Sequence, residues 1–186
     1  MTTFKKEIQM NKKILLIAGL MMSVAGLLRA DGGKDHAMMP PPYVGSKEFE
    51  QMKKLAGTWE GSEQMGENPT PASAVYEVTS NGSVVLERLF PGTSHEMVTT
   101  YYDQDGKLAM THYCAVGNRP VMELKSATDN QINLSFSSES DIDANTEGHM
   151  HDLTIDFVND KQIVQHWTMF EEGKKTSDTT ITLSRK

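Results

Sequence analysis

Leu55-Ala56-Gly57-Thr58-Trp59-Glu60-Gly61 is the stretch on which the fold turns. Before it, Phe49, Met52 and Leu55 recur at a spacing of three, the apolar stripe of a short helix that Ser46 can cap. After it the hydrophobic period changes to two, and no later stretch has a convincing helical pattern. The chain from Gly57 onward reads as short strands near 57–64, 73–80, 83–90, 95–103, 107–116, 121–127, 131–137, 149–158, 162–171 and 176–185. The expected fold is all-β: a single up-and-down antiparallel barrel of about ten strands over residues 47–186, with the N-terminal helix as a plug.

The connections alternate in character. Ser80-Asn81-Gly82, Asp103 to Gly106, Thr128-Asp129-Asn130 and Asn159-Asp160-Lys161 are tight turns that follow even-numbered strands. Connections after most odd-numbered strands are longer or richer in proline: Met65 to Ala72, Pro91 to Ser94, Gly117 to Pro120 and Ser138 to Gly148. In a meander the first group closes one end and the second surrounds a mouth, where recognition would reside. Trp59 begins an odd strand and Arg185 ends an even one, which places both at the closed end.

Gly57 to Gly61 resembles the signature with which calycin-type barrels open, among them the lipocalins, fatty-acid-binding proteins and nitrobindin-like proteins. Read together with Phe90-Pro-Gly-Thr-Ser-His95-Glu96-Met97 and Thr111-His112-Tyr113-Cys114, residues 48–186 are similar to a bacterial family of exported lipocalin-like proteins with no assigned activity. The resemblance implies a fold and a compartment and carries over no catalytic residue. It also implies that Arg185, on the last strand, packs over Trp59. Against nitrobindin the chain departs at Glu63, where that family continues with glycine. Haem is a candidate cofactor by this resemblance, without a motif that maps its histidine; His166, mid-strand beside Trp167, is the residue to consider.

Residues 1–30 read as a signal peptide. Lys12 and Lys13 precede the apolar run Ile14 to Leu28, which is shorter than the roughly twenty residues that span a bilayer. Ser23-Val24-Ala25 and Leu28-Arg29-Ala30 are the small-x-small sites, Met10 is as good a start as Met1, and cleavage should leave a periplasmic or secreted protein without stable membrane insertion. Residues 31–46, with Met38-Met39-Pro40-Pro41-Pro42, form an extended linker. The chain has 18 basic and 25 acidic residues; without its first thirty it keeps 13 and 24, a formal charge of −11. Such a surface repels phosphate backbones, so nucleic acid is not an expected partner. A single cysteine, Cys114, excludes an intramolecular disulfide framework, so stability must come from the core.

Alternation assigns side chains to the interior: Leu108, Met110, His112 and Cys114; Met122 and Leu124; Ile132, Leu134 and Phe136; His149, His151, Leu153, Ile155 and Phe157; Ile181 and Leu183. Trp167 and Phe170 fall on opposite faces. Met110, His112, Cys114, Met122, Leu124, Phe136, His149 and His151 are the candidate lining of a small-molecule site. His112-x-Cys114 and His149-x-His151 each place two metal-binding groups on one face of a strand near the mouth, and together they are a candidate zinc or soft copper site. The same residues equally suit a partly wet cavity in which Cys114 is a small buried hydrophobe. His95-Glu96 lies at the same end as a possible acid/base pair or further ligand. Methionines 97, 110, 122, 150 and 169 either soften a lipophile pocket or fill gaps. Asp141-x-Asp143-x-Asn145-x-Glu147 has the alternating oxygens of a calcium loop, but Thr146 stands where glycine is required. Signatures of common hydrolases, nucleotide sites and zinc proteases are missing. Three functions therefore stand open: non-enzymatic binding of a small apolar or amphiphilic molecule, a metal carrier or metal-dependent enzyme, and a barrel filled by its own side chains. The sequence leaves oligomeric state open.

Overall fold

The computed structural model describes residues 40–186. The signal-peptide reading of residues 1–30, and most of the 31–46 linker, lie outside the described residues. Helix α1 (Lys47–Lys53) is followed by ten strands: β1 (Gly57–Gln64), β2 (Thr70–Thr79), β3 (Val84–Leu89), β4 (Met97–Gln104), β5 (Lys107–Tyr113), β6 (Val121–Ala127), β7 (Gln131–Phe136), β8 (His149–Asn159), β9 (Gln162–Glu171) and β10 (Lys174–Arg185). Every strand pairs antiparallel with its neighbour in sequence, and β10 returns to β1 to close the barrel. Closure leaves no free sheet edge. Among the described residues no helix is long and apolar enough to cross a membrane.

The seam explains the glycines of the opening motif. Gly57 sits at φ +134°, a conformation that other residues rarely adopt, and a Cβ on Gly61 would overlap the Thr182 carbonyl of β10. Between them Trp59 pairs with Arg185 across the seam. Its indole N–H donates to the Leu55 carbonyl at 2.8 Å. The Arg185 guanidinium lies 4.4 Å from the centre of the Trp59 ring and donates to the carbonyls of Ala56 and Lys54, both at 2.7 Å. One arginine thus covers the tryptophan face and satisfies carbonyls left open where α1 ends.

Helix α1 closes that end as a short plug. The Ser46 hydroxyl accepts from the Phe49 N–H, and it donates to Asp103 at the end of β4, which also accepts from the Ser46 N–H. Gln51 and Lys47 reach Asp129 in the β6–β7 turn. These ties hold Phe49 and Met52, both fully buried, over the barrel interior. The β4–β5 turn has positive φ at Asp105 and Gly106, as a two-residue hairpin matching strand twist requires. Strand β5 ends at Tyr113 rather than running on to 116, which leaves Cys114 just past the strand.

Much of the interior is self-filled. Trp59, Tyr76, Tyr101, Met110, Met122, Leu134, Leu153 and Ile155 are at most 2% exposed and belong to one continuous core. Burial on this scale drives closure, since each large side chain taken from water contributes roughly 1.5–3 kcal/mol.

Candidate functional site

A carboxylate stands inside this core. Glu87 alternates with Val85 and Leu89 on β3 and is fully buried with them. Its Oε1 accepts from the Tyr76 hydroxyl at 2.8 Å and from Gln165 Nε2 at 2.6 Å, and its Oε2 from the Tyr101 hydroxyl at 2.7 Å. Gln165 Nε2 also donates to the Tyr76 oxygen, and Gln165 Oε1 accepts from Trp167 Nε1 at 2.9 Å. Burial pushes the Glu87 carboxyl above the usual carboxylate range, and the hydrogen bonds from Tyr101, Gln165 and Tyr76 pull the other way. Burial likewise pushes both tyrosines well above the ordinary phenol range.

Nearer the mouth, Thr99, two residues before Tyr101 and on the same face of β4, lies 2.9 Å from His112 Nδ1. The His112 ring packs at 4.7 Å, centre to centre, against Trp167. His112 is 1% exposed, and among the described residues its Nε2 has no hydrogen-bond partner. Burial lowers its pKa to about 4, so the imidazole is neutral at ordinary pH.

His112 lines a cavity of about 240 Å³ at the mouth. Leu89, Phe90, Met97, Met150, Trp167 and Ile181 line it together with the polar groups of Glu63, His95 and Thr179, and Met65, Cys114 and Val116 stand at its rim. Met65 and Val116 are exposed, so apolar surface continues from the cavity out to solvent. A larger cleft of about 480 Å³ lies at the closed end between α1 and the tight turns. There Arg185 is engaged by the carbonyls of Lys54, Ala56 and Asp160, and Lys54, Asp129 and Asp160 are rim charges. The mouth is the better site despite its smaller volume, because a largely apolar cavity with a few placed polar groups is how small-molecule sites are built.

The sequence-derived residues separate into two places. His112 and Cys114 share the mouth cavity. Met110 and Met122 belong to the packed core, and Leu124 packs against it. His149 and His151 do not line the mouth cavity; Met150 does. The cause is a β-bulge: the β8–β9 register shifts between Met150 and Asp152, so His151 is an extra residue and the alternation counted back from Leu153 fails there. His149 Nδ1 donates to the Glu147 carbonyl at 2.8 Å, and its Nε2 stands 3.0 Å from His151 Nδ1. The His151 ring is stacked between Phe170 at 4.0 Å and Phe136 at 5.4 Å. His112-x-Cys114 and His149-x-His151 are thus not joined, and among the described residues no three His, Cys, Asp or Glu side chains are gathered to hold a metal ion.

Other candidates are placed as follows. His95 lines the mouth with its ring 4.8 Å from Phe90, whereas Glu96 accepts from the Gly92 N–H within its loop. His166 faces outward beside Asp156 and Thr180, so it cannot ligate a group held in the barrel. Asp143 accepts from the Asn145 N–H, which lowers its pKa. A cavity of about 240 Å³, at the small end of ligand sites, cannot enclose a tetrapyrrole. Sequence reasoning missed Glu87, Thr99, Tyr101 and Gln165. The available signal was parity: Val85-x-Glu87-x-Leu89 and Ile163-x-Gln165-x-Trp167 each set a polar residue among inward apolar ones.

A solved structure of a protein of unknown function from the DUF3598 family, from Nostoc punctiforme PCC 73102, is similar to this chain, with a TM-score of 0.51 and 12% identity. The match covers 79% of the present chain, which spans about half (51%) of that protein's chain. At this identity the likeness is one of fold. No family model matches the chain, and no curated protein matches it.

Proposed function

We propose that the protein binds a small, largely apolar molecule in the mouth cavity, with His112 Nε2 as the polar anchor, and that it acts as a binding protein rather than an enzyme. The observation that carries the reading is a largely apolar cavity whose lining includes His112, a buried histidine with an Nε2 that has no partner among the described residues. An unsatisfied buried polar atom costs roughly 1–3 kcal/mol, and a ligand that meets it recovers that cost on binding. Neutral imidazole suits the task, because it adds a directional hydrogen bond without a charge that an apolar ligand would have to desolvate. The exposed apolar rim at Met65 and Val116 supplies an entry path. The lipocalin-like character of the motifs agrees with this reading. So does the N-terminal export signal, which would place binding in the periplasm or outside the cell.

The test is a titration with 2-methoxynaphthalene followed by amide and methyl NMR shifts. Perturbations should concentrate at Leu89, Met97, Met150, Trp167 and Ile181, and Ile181→Trp, which fills the cavity, should abolish them. Binding that survives Ile181→Trp in a folded protein would remove the mouth as the site.

A further inference from the structure

We propose that the mouth cavity is also a cuprous-ion site, in which His112 Nε2, Cys114 Sγ and Met97 Sδ together hold one Cu(I). This goes beyond the preceding reading of the cavity and does not rest on it.

The three donors come from one patch of two paired strands. His112 and Cys114 donate their backbone N–H groups to the carbonyls of Pro120 and Asn118, both at 3.0 Å, so the extended path of β5 continues through Cys114. Tyr113 between them is exposed, and residues two apart share a face, so His112 and Cys114 both turn to the cavity that they line. The β4–β5 register pairs Thr99 with His112 and Val98 with Tyr113, which sets Met97, the next residue on β4, opposite Cys114. Met97 lines the same cavity. Opposite residues have Cβ atoms about 4.5–5.5 Å apart and residues two apart on a strand lie about 7 Å apart. One ion can bridge such spans with bonds of roughly 2.0–2.3 Å, because all three donor atoms reach past Cβ.

The donor set chooses the metal. Glu63, His95 and Thr179 also line the cavity, but among the described residues no third His, Cys, Asp or Glu gathers with His112 and Cys114. The site is therefore not one for zinc or a hard cation, and its third donor is a thioether. Thiolate and thioether sulfur select Cu(I), and imidazole suits copper as well. Charge agrees: one thiolate cancels the single charge of Cu(I), whereas Zn²⁺ would leave a net positive charge in a largely apolar cavity walled by Met150 and Trp167.

His112 is already held for this role. Its Nδ1 lies 2.9 Å from the Thr99 hydroxyl, its ring packs 4.7 Å from Trp167, and its buried Nε2 has no partner among the described residues. With Nε2 on the metal, Nδ1 carries the hydrogen and donates it to Thr99, the outer hydrogen bond that orients a ligating histidine. Cys114 releases its thiol proton to solvent as the Cu–S bond forms.

The test is an anaerobic titration in which the purified protein, without an affinity tag, competes with bicinchoninate for Cu(I), followed by X-ray absorption on the loaded protein. One copper should be withdrawn per chain, with one nitrogen and two sulfur neighbours. Cys114→Ser and Met97→Leu, both at half-buried positions that tolerate the change, and His112→Phe should each weaken binding at least about tenfold, and Thr99→Val roughly tenfold. Failure to withdraw copper, affinity unchanged in the Cys114→Ser and His112→Phe variants, a copper without a nitrogen neighbour, or displacement by equimolar Zn²⁺ would each overturn the proposal. Binding of 2-methoxynaphthalene is read in metal-free protein, so the two readings of the cavity fail separately.

Discussion

A tryptophan marks each end of this barrel, and their surroundings differ in what is left over. At the closed end Trp59 is 1% exposed, its N–H is held by Leu55, and Arg185 covers its face while bonding the carbonyls after α1. At the mouth Trp167 is 3% exposed and its N–H is held by Gln165, but its face meets His112, whose Nε2 has no partner, and a cavity opens beside them. The first is a satisfied plug; the second leaves one polar atom and a volume unfilled. Rigid closure at one end allows the other to keep an unmet group, because the folded state has stability from which that cost can be drawn.

Damage at the closed end should be largest. Trp59→Ala should lose about 3–5 kcal/mol, as truncation of a large core aromatic does. Arg185→Ala should lose less, and the pair should be non-additive because guanidinium and ring touch. Denaturant unfolding of both single variants and the double variant measures the coupling. Strict additivity would mean that the contact contributes nothing beyond its parts.

The next effect belongs to the mouth and depends on pH. His112 titrates at about 4 in the fold against an ordinary 6.5, so between those values the unfolded chain binds the extra proton. Its contribution is fully present above pH 6.5 and is lost as pH falls toward 4, by about 3 kcal/mol. Glu87, raised by burial, acts with the opposite sign, its contribution fading as pH rises through its folded-state value. Comparing the unaltered protein with His112→Phe cancels the Glu87 part. The stability difference between them should shift by about 3 kcal/mol across that window, and parallel profiles would show that His112 is not held neutral.

Smaller effects separate the two buried histidines. His149 has both ring nitrogens engaged, so His149→Leu should cost roughly 1–3 kcal/mol by stranding the Glu147 carbonyl and His151 Nδ1. At neutral pH His112→Phe should cost less, about 1 kcal/mol, since it removes an Nε2 that had no partner and strands one group, the buried Thr99 hydroxyl that meets Nδ1, and it should weaken ligand binding at the mouth. A larger loss from His112→Phe than from His149→Leu would reverse the assignment of structural and binding roles. Smallest of all, Phe170→Leu should lose about 0.5–1.5 kcal/mol of aromatic stacking on His151 while leaving ligand affinity at the mouth unchanged.

Much of the barrel was legible before any coordinates. Strand number, meander order and the parity of tight and long connections follow from a period of two and from turn residues such as Asp105-Gly106, whose positive φ values the hairpin demands. Trp59 and Arg185 were placed at one end by counting strands, and the β1–β10 register pairs them. The site was less legible. His112 and Cys114 share the mouth, but His149 and His151 were carried there by an alternation that the bulge at His151 interrupts. A bulge adds a residue to one strand only, and single-strand periodicity contains no term for its partner.

What the sequence by itself determined is therefore the local and the periodic: where strands begin, which turns are tight, and that a short helix plugs one end. These depend on φ/ψ preference and side-chain alternation, which act over a few residues. Only the tertiary structure decided that Tyr76, Glu87, Tyr101 and Gln165, from four different strands, meet at one buried carboxylate and that Thr99 meets His112. Which side chains face each other across a barrel is set by closure and register of strands far apart in sequence. The unmet nitrogen at the mouth exists only once those strands have closed.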